Sequence, residues 1–424
     1  MDLRAFPRFS YAIHRMKASA VLPLSLLLLA VRTITFAADA SLPTQADLFV
    51  HDEDGYATYR IPALVVTPQQ TVLAACEGRK NNSDDWGRID LLLRRSVDGG
   101  RTWEPLRRLV AQEDLPANLV RNAAAAAAVA GGVPGGFTIN NPTWVTCTAE
   151  GATHFLYCAE YFRCFIITSR DGGATFSSAR EITSAFEAFR QRDHYPWKVI
   201  APGPGHGIEL KSGRLVVPVW LSTSTGGHPH RPSVCATIYS DDHGMTWQAG
   251  AIVAGIADQV PNASEATLAE VAPGKVMINL RSDSPRNRRV VAWSPDGASG
   301  WSQPEFAESL LEPVCMAGSV AAQGDAAGAS ILLFSNPASV ERNPQTAVGS
   351  AGRARQNLTV RASRDGGQSW IAAQVLEPGP SAYSDLAVAR DGTVFCFYER
   401  GKAAPYEKMT LARFPISWVF GKGP

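Results

Sequence analysis

The sequence predicts an all-β fold in which short strands and tight turns repeat along the chain. An eight-residue motif, S-x-D-x-G-x-[T/S]-[W/F], recurs in four good copies and one worn copy. Short runs rich in β-branched and aromatic residues lie between the copies, and helical periodicity is scarce. Repetition of this kind indicates an array of similar units. The copies are Ser96–Trp103, Ser169–Phe176, Ser240–Trp247, the worn Ser294–Trp301, and Ser363–Trp370.

Each copy of the motif is predicted to form a hairpin turn. Its aspartate, for example Asp98, can accept hydrogen bonds from backbone N–H groups just ahead of it, and the glycine at position five can adopt a positive φ. The closing aromatic residue is expected to pack between strands. We therefore interpret these aspartates as part of the scaffold and look for the chemistry elsewhere.

The spacing of the motifs predicts the architecture. Successive copies start 73, 71, 54 and 69 residues apart, which suits one four-stranded antiparallel blade with long loops. The chain after its leader then holds about six blades, so we expect a six-bladed β-propeller over residues 41–424 with no internal domain boundary. Strands are expected at runs such as Ile61–Thr67, a helix at Ile182–Arg192, and an insertion at Ala123–Ala128.

Residues 1–40 have the pattern of a cleaved secretory signal. The apolar run Val21–Val31 is too short for a membrane span, basic residues precede it, and small residues place cleavage near residues 38–40. Met16 is an alternative start, because the leader is otherwise long. We expect a secreted or periplasmic protein without a membrane anchor after cleavage.

Composition excludes some partners. The formal net charge is +1, with 40 Lys and Arg against 39 Asp and Glu, which argues against nucleic acid or a charged membrane surface. Seven cysteines show neither C-x-x-C pairs nor metal spacing, so we interpret them mainly as core residues, with one or two disulfides left open. We expect no metal, no cofactor and a monomer.

The segment Tyr59-Arg60-Ile61-Pro62, together with the repeated turns, resembles the bacterial exo-α-sialidase (neuraminidase) family with Asp-box (BNR) repeats, similar to glycoside hydrolase family 33. The resemblance covers nearly all of the chain after the leader. It implies a six-bladed propeller that hydrolyses terminal sialic acids from glycoconjugates, with retention of configuration through a tyrosyl-enzyme intermediate. The implied partners are sialylated glycans.

The resemblance implies three arginines for the sialic acid carboxylate. Guanidinium groups suit this role because their planar fork matches a carboxylate better than an ammonium does. Arg60 matches the first arginine of the family, Arg281 in Asn279–Ser282 the second, and Arg355 the third, with Arg353 and Arg361 nearby as competitors for that last role.

The same resemblance implies a tyrosine nucleophile. A carboxylate nucleophile would be repelled by the carboxylate of the substrate, whereas a phenol activated by a base would not. The segment Ser381–Leu386 matches the nucleophile segment and supplies Tyr383. Glu265, which precedes Arg281 by 16 residues, is expected to be its base.

The general acid and the supporting residues follow from the same comparison. The loop Glu77–Asp90 offers Asp84 and Asp85 as the acid/base; the local pattern favours Asp85, whereas a count from Arg60 favours Asp84. Three supporting residues are expected: Glu399 as the carboxylate partner of Arg60, Arg79 beside the aspartate loop, and Asn141 in a loop facing the site. His206 is interpreted as a structural histidine, and 228–232 as a rim loop.

Two alternative functions remain open from the sequence. One is a glycosidase of the same fold that acts on another acidic 2-keto sugar. The other is a catalytically silent propeller that binds glycans or proteins. The complete set of arginines, tyrosine, glutamate and aspartate favours an enzyme over the silent propeller.

Overall fold

Twenty-five strands account for about half of the described chain in the structure, a computed structural model that describes residues 42–124, 135–255, 260–322, 330–342 and 353–421. The expected signal segment 1–40 and most of the expected insertion lie outside these residues. The strands are β1 Thr44–Val50, β2 Thr58–Val66, β3 Val72–Arg79, β4 Ile89–Ser96, β5 Arg107–Val110, β6 Ile139–Cys147, β7 Ala152–Ala159, β8 Arg163–Ser169, β9 Arg180–Glu181, β10 Val199–Pro202, β11 Gly205–His206, β12 Ile208–Glu209, β13 Leu215–Ser222, β14 Ser233–Ser240, β15 Gln248–Ala254, β16 Ala266–Ala272, β17 Lys275–Leu280, β18 Arg288–Ser294, β19 Glu305–Leu311, β20 Gly318–Ala322, β21 Ile331–Pro337, β22 Gln356–Ser363, β23 Ala372–Val388, β24 Thr393–Arg400 and β25 Lys408–Pro415.

Helical structure is short wherever the chain is described. The predicted helix is confirmed as a 3-10 turn, Thr183–Phe186, that continues into α1, Glu187–Gln191. A second 3-10 turn covers Gln112–Asp114, and α2 covers Ile416–Val419. None of the helices in the described ranges has the length and apolar character needed to cross a membrane.

The strands form five sheets. Four of them contain four or five strands in the orders β2-β3-β4-β5, β11-β6-β7-β8-β9, β10-β13-β14-β15 with β12 on β13, and β16-β17-β18-β19. The fifth contains seven strands in the order β1-β25-β24-β23-β22-β21-β20. All pairings are antiparallel except that of β11 with β6.

The prediction of six separate four-stranded blades is wrong. The last two expected blades form a single seven-stranded sheet because β23 runs unbroken for 17 residues. Its first half pairs with β22 as far as Pro380, and its second half pairs with β24 from Ser381 onward. One strand therefore belongs to both halves, and the described strands form five sheets in place of six.

The sheets are neighbours in a closed circle, which makes the fold an all-β propeller type. Four clusters of buried side chains fill spaces between consecutive sheets. A further large cluster, which includes Leu333 and Phe414, lies within the seven-stranded sheet. The circle closes where Leu48 of β1 and Phe397 of β24 pack with Tyr59 of β2. The innermost strands approach one another at the centre, with β2 in contact with both β6 and β23.

The repeated motif forms the predicted turns. The Asp98 carboxylate accepts hydrogen bonds from Ser96 Oγ at 2.8 Å, from Thr102 N at 2.9 Å and from Thr102 Oγ1 at 2.7 Å. Gly100 has φ +77°, and its N–H donates to Ser96 Oγ at 2.9 Å. Trp103 packs against the core cluster beside this turn. The scaffold interpretation of the motif is confirmed by this geometry.

The cysteines are core residues, as expected. All seven are buried free thiols, and none is joined in a disulfide in the structure. Burial raises the pKa of several of these thiols, among them Cys76 and Cys315. Thiols with raised pKa values are poor nucleophiles, so the catalytic chemistry is expected elsewhere.

Candidate active site

One pocket collects most of the predicted site residues. It lies where the innermost strands β2, β6 and β23 meet the segments that flank β16, β17 and β22. Seven of the ten predicted residues line it: Arg60, Asp85, Asn141, Glu265, Arg281, Arg355 and Tyr383. Of the other three, Glu399 and Arg79 are buried behind the pocket wall, and Asp84 is exposed and does not line this pocket.

Tyr383, Glu265 and Arg281 form a tight cluster. The Tyr383 hydroxyl lies 2.6 Å from Glu265 Oε1 and 2.7 Å from Oε2. Arg281 Nη1 donates to Glu265 Oε2 at 2.5 Å and to the Tyr383 hydroxyl at 2.7 Å. Glu265 immediately precedes β16 and Arg281 immediately follows β17, so one hairpin presents both side chains. The phenol therefore has a proton acceptor and a cation within hydrogen-bond reach.

The phenol of Tyr383 is protonated when the pocket is empty. Burial raises its pKa well above the usual value, although Arg281 acts in the opposite direction. Tyr383 is only 5% exposed. A proton acceptor at hydrogen-bond distance is thus needed before this oxygen can act as a nucleophile, and Glu265 occupies that position.

The three predicted arginines converge on Tyr383. The guanidinium carbons of Arg60 and Arg355 each lie 5.3 Å from the centre of its ring, and Arg281 contacts its hydroxyl. Arg355 donates to two neutral oxygens, the Tyr406 hydroxyl at 2.9 Å and Val314 O at 2.7 Å. Three guanidinium groups thus converge on one side of the pocket, and planar guanidinium groups suit a carboxylate ligand.

Glu399 holds Arg60 and the backbone around it. Its Oε1 accepts from Arg60 Nε at 2.7 Å and from Ile61 N at 2.9 Å, and its Oε2 accepts from Tyr383 N at 3.0 Å. Ile61 has φ +65°, a strained conformation for a β-branched residue, at a register shift in β2 next to Pro62. The carboxylate therefore fixes the strand that carries Arg60 to the strand that carries Tyr383.

Asp85 and Asp84 have different surroundings. Asp85 faces the pocket, 47% exposed, with Oδ1 3.0 Å from Arg79 Nη1. Burial would raise the pKa of Asp85, but Arg79, His230 and Arg60 outweigh it and hold the pKa well below the usual value. Asp84 bonds to Asn82 within its own loop. The geometry thus brings Asp85, and not Asp84, to the other predicted groups.

Arg79 and Asn141 are joined by a second buried glutamate. Glu77 Oε2 accepts from Arg79 Nη2 at 2.7 Å, and Glu77 Oε1 accepts from Asn141 N at 2.9 Å. Asn141 has φ +57° at a register shift in β6, next to Pro142. Glu77 thus plays the same part as Glu399. Each buried carboxylate pairs with an arginine and accepts a hydrogen bond from the backbone of a residue at a register shift, and that residue lines the pocket.

Several residues in the pocket wall or directly behind it were not predicted as site residues from the sequence. The ring of Tyr406 lies 4.0 Å below the Arg60 guanidinium, and its hydroxyl accepts from Arg355. It sits in a loop without a recognisable motif. A second group, Tyr161, Trp220 and His230, forms an aromatic wall with ring centres 4.9 to 6.0 Å apart. Tyr161 and Trp220 lie in no recognisable motif, and only their burial as large aromatic residues could have pointed to them. His230 belongs to segment 228–232, which was predicted as a rim loop and does line the pocket.

The pocket wall also carries a third carboxylate and a fourth arginine. Asp283 Oδ2 lies 2.6 Å from Arg231 Nε and 3.0 Å from Asn262 Nδ2. Within the described ranges, no three His, Cys, Asp or Glu side chains are grouped as metal ligands would be. The arrangement of this pocket suits acid–base and nucleophilic chemistry on an anionic substrate.

Comparisons with known proteins agree with this geometry. Residues 137–396 match the family described as BNR repeat-like domain. A sialidase of Micromonospora viridifaciens is 32% identical over 409 residues, covering 90% of this chain and 55% of that protein. A sialidase of Bacteroides fragilis is 30% identical over 379 residues, covering 83% and 61%. The chain therefore spans little more than half the length of these two relatives.

Other relatives are closer in length or have known structures. Sialidase-3 of Mus musculus is 29% identical over 420 residues, covering 87% of this chain and 93% of that protein. The solved structure of a Hadza microbial sialidase is 26% identical with a TM-score of 0.67, covering 86% of this chain and 67% of that one.

Proposed function

This chain belongs to the sialidase family with BNR repeats, and from that membership and the pocket we propose that it hydrolyses terminal α-linked sialic acids from glycoconjugates. The observation that carries the proposal is the contact of Tyr383 with Glu265 inside a ring of three arginines. A silent binding protein would have no need for a phenol in contact with a carboxylate acceptor.

The first chemical step follows from these contacts. The substrate carboxylate binds to Arg60, Arg281 and Arg355, which places the anomeric carbon over Tyr383. Glu265 accepts the phenol proton while the Tyr383 oxygen forms a bond to that carbon. Asp85 gives a proton to the departing glycosidic oxygen, and the aglycone leaves. A tyrosyl-enzyme intermediate results, with the configuration inverted once.

The second step reverses these roles. Asp85 takes a proton from a water molecule, and the water oxygen attacks the anomeric carbon. The bond to the Tyr383 oxygen breaks, and Glu265 returns the proton to the phenol. Two inversions give net retention of configuration. A neutral phenol suits this substrate because a carboxylate nucleophile would be repelled by the carboxylate that the arginines hold.

The charge state of Asp85 fits a role that alternates between base and acid. The charges of Arg79 and Arg60 outweigh the effect of burial and keep the Asp85 carboxyl ionised. An anionic substrate offsets the charge of Arg60 and removes water from Asp85, and both changes raise the pKa of this carboxyl. Substrate binding thus favours uptake of the proton that the leaving group needs.

The direct test is release of a fluorogenic leaving group from an N-acetylneuraminic acid glycoside. We expect the wild-type protein to hydrolyse it and Tyr383→Phe to lose at least roughly 10³-fold in kcat. Tyr56→Phe is the matched control, since this buried tyrosine bonds to Asp90 outside the pocket. No hydrolysis by the wild type would refute the proposal. Hydrolysis of a de-N-acetylated analogue alone would indicate that the enzyme acts on another acidic sugar.

We also propose that the protein is exported and acts as a monomer. The pattern of residues 1–40 supports a secreted or periplasmic location, with the enzymatic unit over residues 41–424. Fractionation of cells that express the full chain tests the location, and N-terminal sequencing of the exported protein tests cleavage near residues 38–40.

A further inference from the structure

The Asp385 carboxylate lies at the centre of the fold, two residues after Tyr383 on β23. It is 1% exposed. Its Oδ2 accepts from the backbone N–H of Leu64 on β2 at 2.8 Å, and its Oδ1 lies 2.7 Å from His206 Nδ1. Oδ1 also accepts from Leu386 N at 2.9 Å. One carboxylate therefore connects three strands that come from three different sheets.

The backbone next to His206 allows the imidazole to reach Asp385. It lies on β11, a two-residue strand that pairs in parallel with β6. Its neighbour Gly205 has φ +101°, and a Cβ added there would lie 2.7 Å from Met316 Cε and 3.2 Å from Asp385 Cγ. Only glycine allows the chain to approach Asp385 so closely, so the segment is shaped to deliver the imidazole to this carboxylate.

The two strands that Asp385 joins carry the central groups of the pocket. β2 carries Arg60, and β23 carries Tyr383. Glu399 connects these strands at the pocket, through Ile61 N and Tyr383 N. Asp385 connects the same two strands again, through Leu64. The register shift in β2 between Arg60 and Ala63 lies between the two connections.

We propose that His206 is a positioning residue, which holds Tyr383 in register with Arg60 by orienting and neutralising the Asp385 carboxylate. This inference rests on the proposed function. It assigns to His206 a role in catalysis that acts through Asp385 and the two strands, since His206 does not line the Tyr383 pocket.

The energetics of burial explain why the imidazole matters. A carboxylate that is 1% exposed is costly unless a counter-charge and hydrogen bonds compensate it. Burial lowers the pKa of His206, but Asp385 outweighs it and raises the pKa above the usual histidine value. The imidazolium form thus compensates Asp385 up to a higher pH than an ordinary histidine would. This contribution is complete below the usual value of about 6.5 and is lost as the pH rises through the raised pKa.

His206 meets solvent away from the pocket. It is 10% exposed and lines a second cavity that shares no residue with the pocket of Tyr383. Among the described elements packed against β11, β23 contributes Asp385 and β16 contributes Glu270, whereas the cavity-lining residues of β2 and β6 are uncharged. Glu209 and Lys211 line the same cavity. Protons can therefore reach His206 without passing the substrate.

The test compares two substitutions of His206 that differ in one hydrogen bond. His206→Asn places an amide N–H near the position of Nδ1 without a charge, and His206→Phe removes both the bond and the charge. The control is His154→Asn, a buried histidine on β7 that bonds to Thr168 Oγ1 at 2.8 Å outside the pocket. Each variant is assayed with the fluorogenic glycoside from pH 4.5 to 9, and its Tm is measured.

We expect His206→Phe to lose roughly 10²-fold in kcat, because a displacement of about 1 Å at the nucleophile has that effect, while KM changes by less than threefold. We expect His206→Asn, which keeps the hydrogen bond but lacks the charge, to have a kcat between those of His206→Phe and the wild type near neutral pH, and to lack the alkaline decline that titration of His206 causes in the wild type. We expect His154→Asn to lower Tm and to leave kcat and the pH profile unchanged.

The outcomes separate this inference from the proposed function. Equal kcat and equal pH profiles for wild type and His206→Phe would overturn the inference, and so would a loss of kcat with an unaltered pH profile in His206→Asn. A measurement without substrate completes the test: NMR titration of the His206 ring should give a raised pKa in the wild type and a clearly lower pKa in Asp385→Asn, where the effect of burial is no longer outweighed. An ordinary pKa in the wild type overturns the inference even if the protein hydrolyses no sialoside.

Discussion

Replacing Glu399 by glutamine tests whether this carboxylate compensates the positive charge of Arg60. The carboxylate is fully buried and accepts three hydrogen bonds, from Arg60 Nε, Ile61 N and Tyr383 N. The amide oxygen of glutamine can keep the two bonds at the Oε1 position. The NH₂ group of the glutamine then faces the backbone N–H of Tyr383. Both groups are donors, so no hydrogen bond forms between them. Glu399→Gln therefore loses one bond and the only carboxylate that directly contacts Arg60 in the described structure.

The expected loss of stability follows from this count. Removing one partner of a buried ion pair costs about 3–5 kcal/mol, because a charge remains without compensation. For a chain of 424 residues, an unfolding entropy of about 2.1 cal/mol/K per residue gives roughly 0.9 kcal/mol/K, so Tm should fall by about 3–6 °C. Thermal unfolding followed by circular dichroism measures this change.

Ligand binding gives the sharper readout. With Glu399 neutral, the carboxylate of bound N-acetylneuraminic acid supplies the charge that Arg60 lacks, so saturating ligand should raise Tm more in the variant than in the wild type. Glu312→Gln is the matched control: Glu312 is buried, lies 3.7 Å from Arg289 Nη1, accepts from Cys315 N and does not line the pocket. It should lower Tm without enlarging the ligand effect. An unchanged Tm in Glu399→Gln would refute the burial argument, and a ligand effect no larger than that of the wild type would refute the charge argument.

Three further predictions concern the acid/base, the scaffold and the pH dependence. Asp85→Asn should lose roughly 10²–10⁴-fold in kcat on a sialoside with a poor leaving group, whereas Asp84→Asn should stay near wild type; equal losses would contradict the assignment. Asp98→Ala should lower Tm, because four hydrogen bonds within its turn are lost, while kcat/KM is unchanged; a drop in kcat/KM of the folded variant would place this turn in the chemistry. Burial lowers the pKa of His230 to about 4, so the unfolded chain binds more protons between that value and the usual value near 6.5, and stability falls as the pH falls through this window. The free energy of unfolding, measured with urea at pH 7 and at pH 5, should therefore decrease less in His230→Phe than in the wild type. An equal decrease in both proteins would show that His230 does not cause the loss of stability.

The sequence predicted best where physical constraints act over a few residues. The turn motif defines its own hydrogen bonds, since Ser96, Asp98 and Thr102 satisfy one another within seven residues. The apolar runs that form strands are similarly local. The sequence failed at β23, because Pro378, Gly379 and Pro380 signal a turn. The structure accepts them in a continuous strand at the point where pairing passes from β22 to β24.

The candidate site shows the same division. Arg60 and Tyr383 lie in recognisable segments, and the structure brings them together with Glu265, Arg281 and Arg355. The sequence could not distinguish Asp84 from Asp85 as the acid/base. Only the path of the loop in the structure shows that Asp85 contacts Arg79. Tyr406 was missed because its contacts depend on the return of a distant loop over Arg60, and no local pattern encodes that approach.

The closure of the circle of sheets has a consequence for the order of folding. β1 is among the first strands to be synthesised, and it pairs with β25, which is the last; the bond between Thr410 Oγ1 and Asp47 spans 363 residues. The sheet that carries Tyr383 therefore cannot be completed until β25 has been synthesised. Contacts so distant in sequence make folding slow, and the exposed edge of β25 can recruit other chains until β1 covers it. A pulse-labelled chain should thus gain protease resistance late, in one step, once β25 has been synthesised.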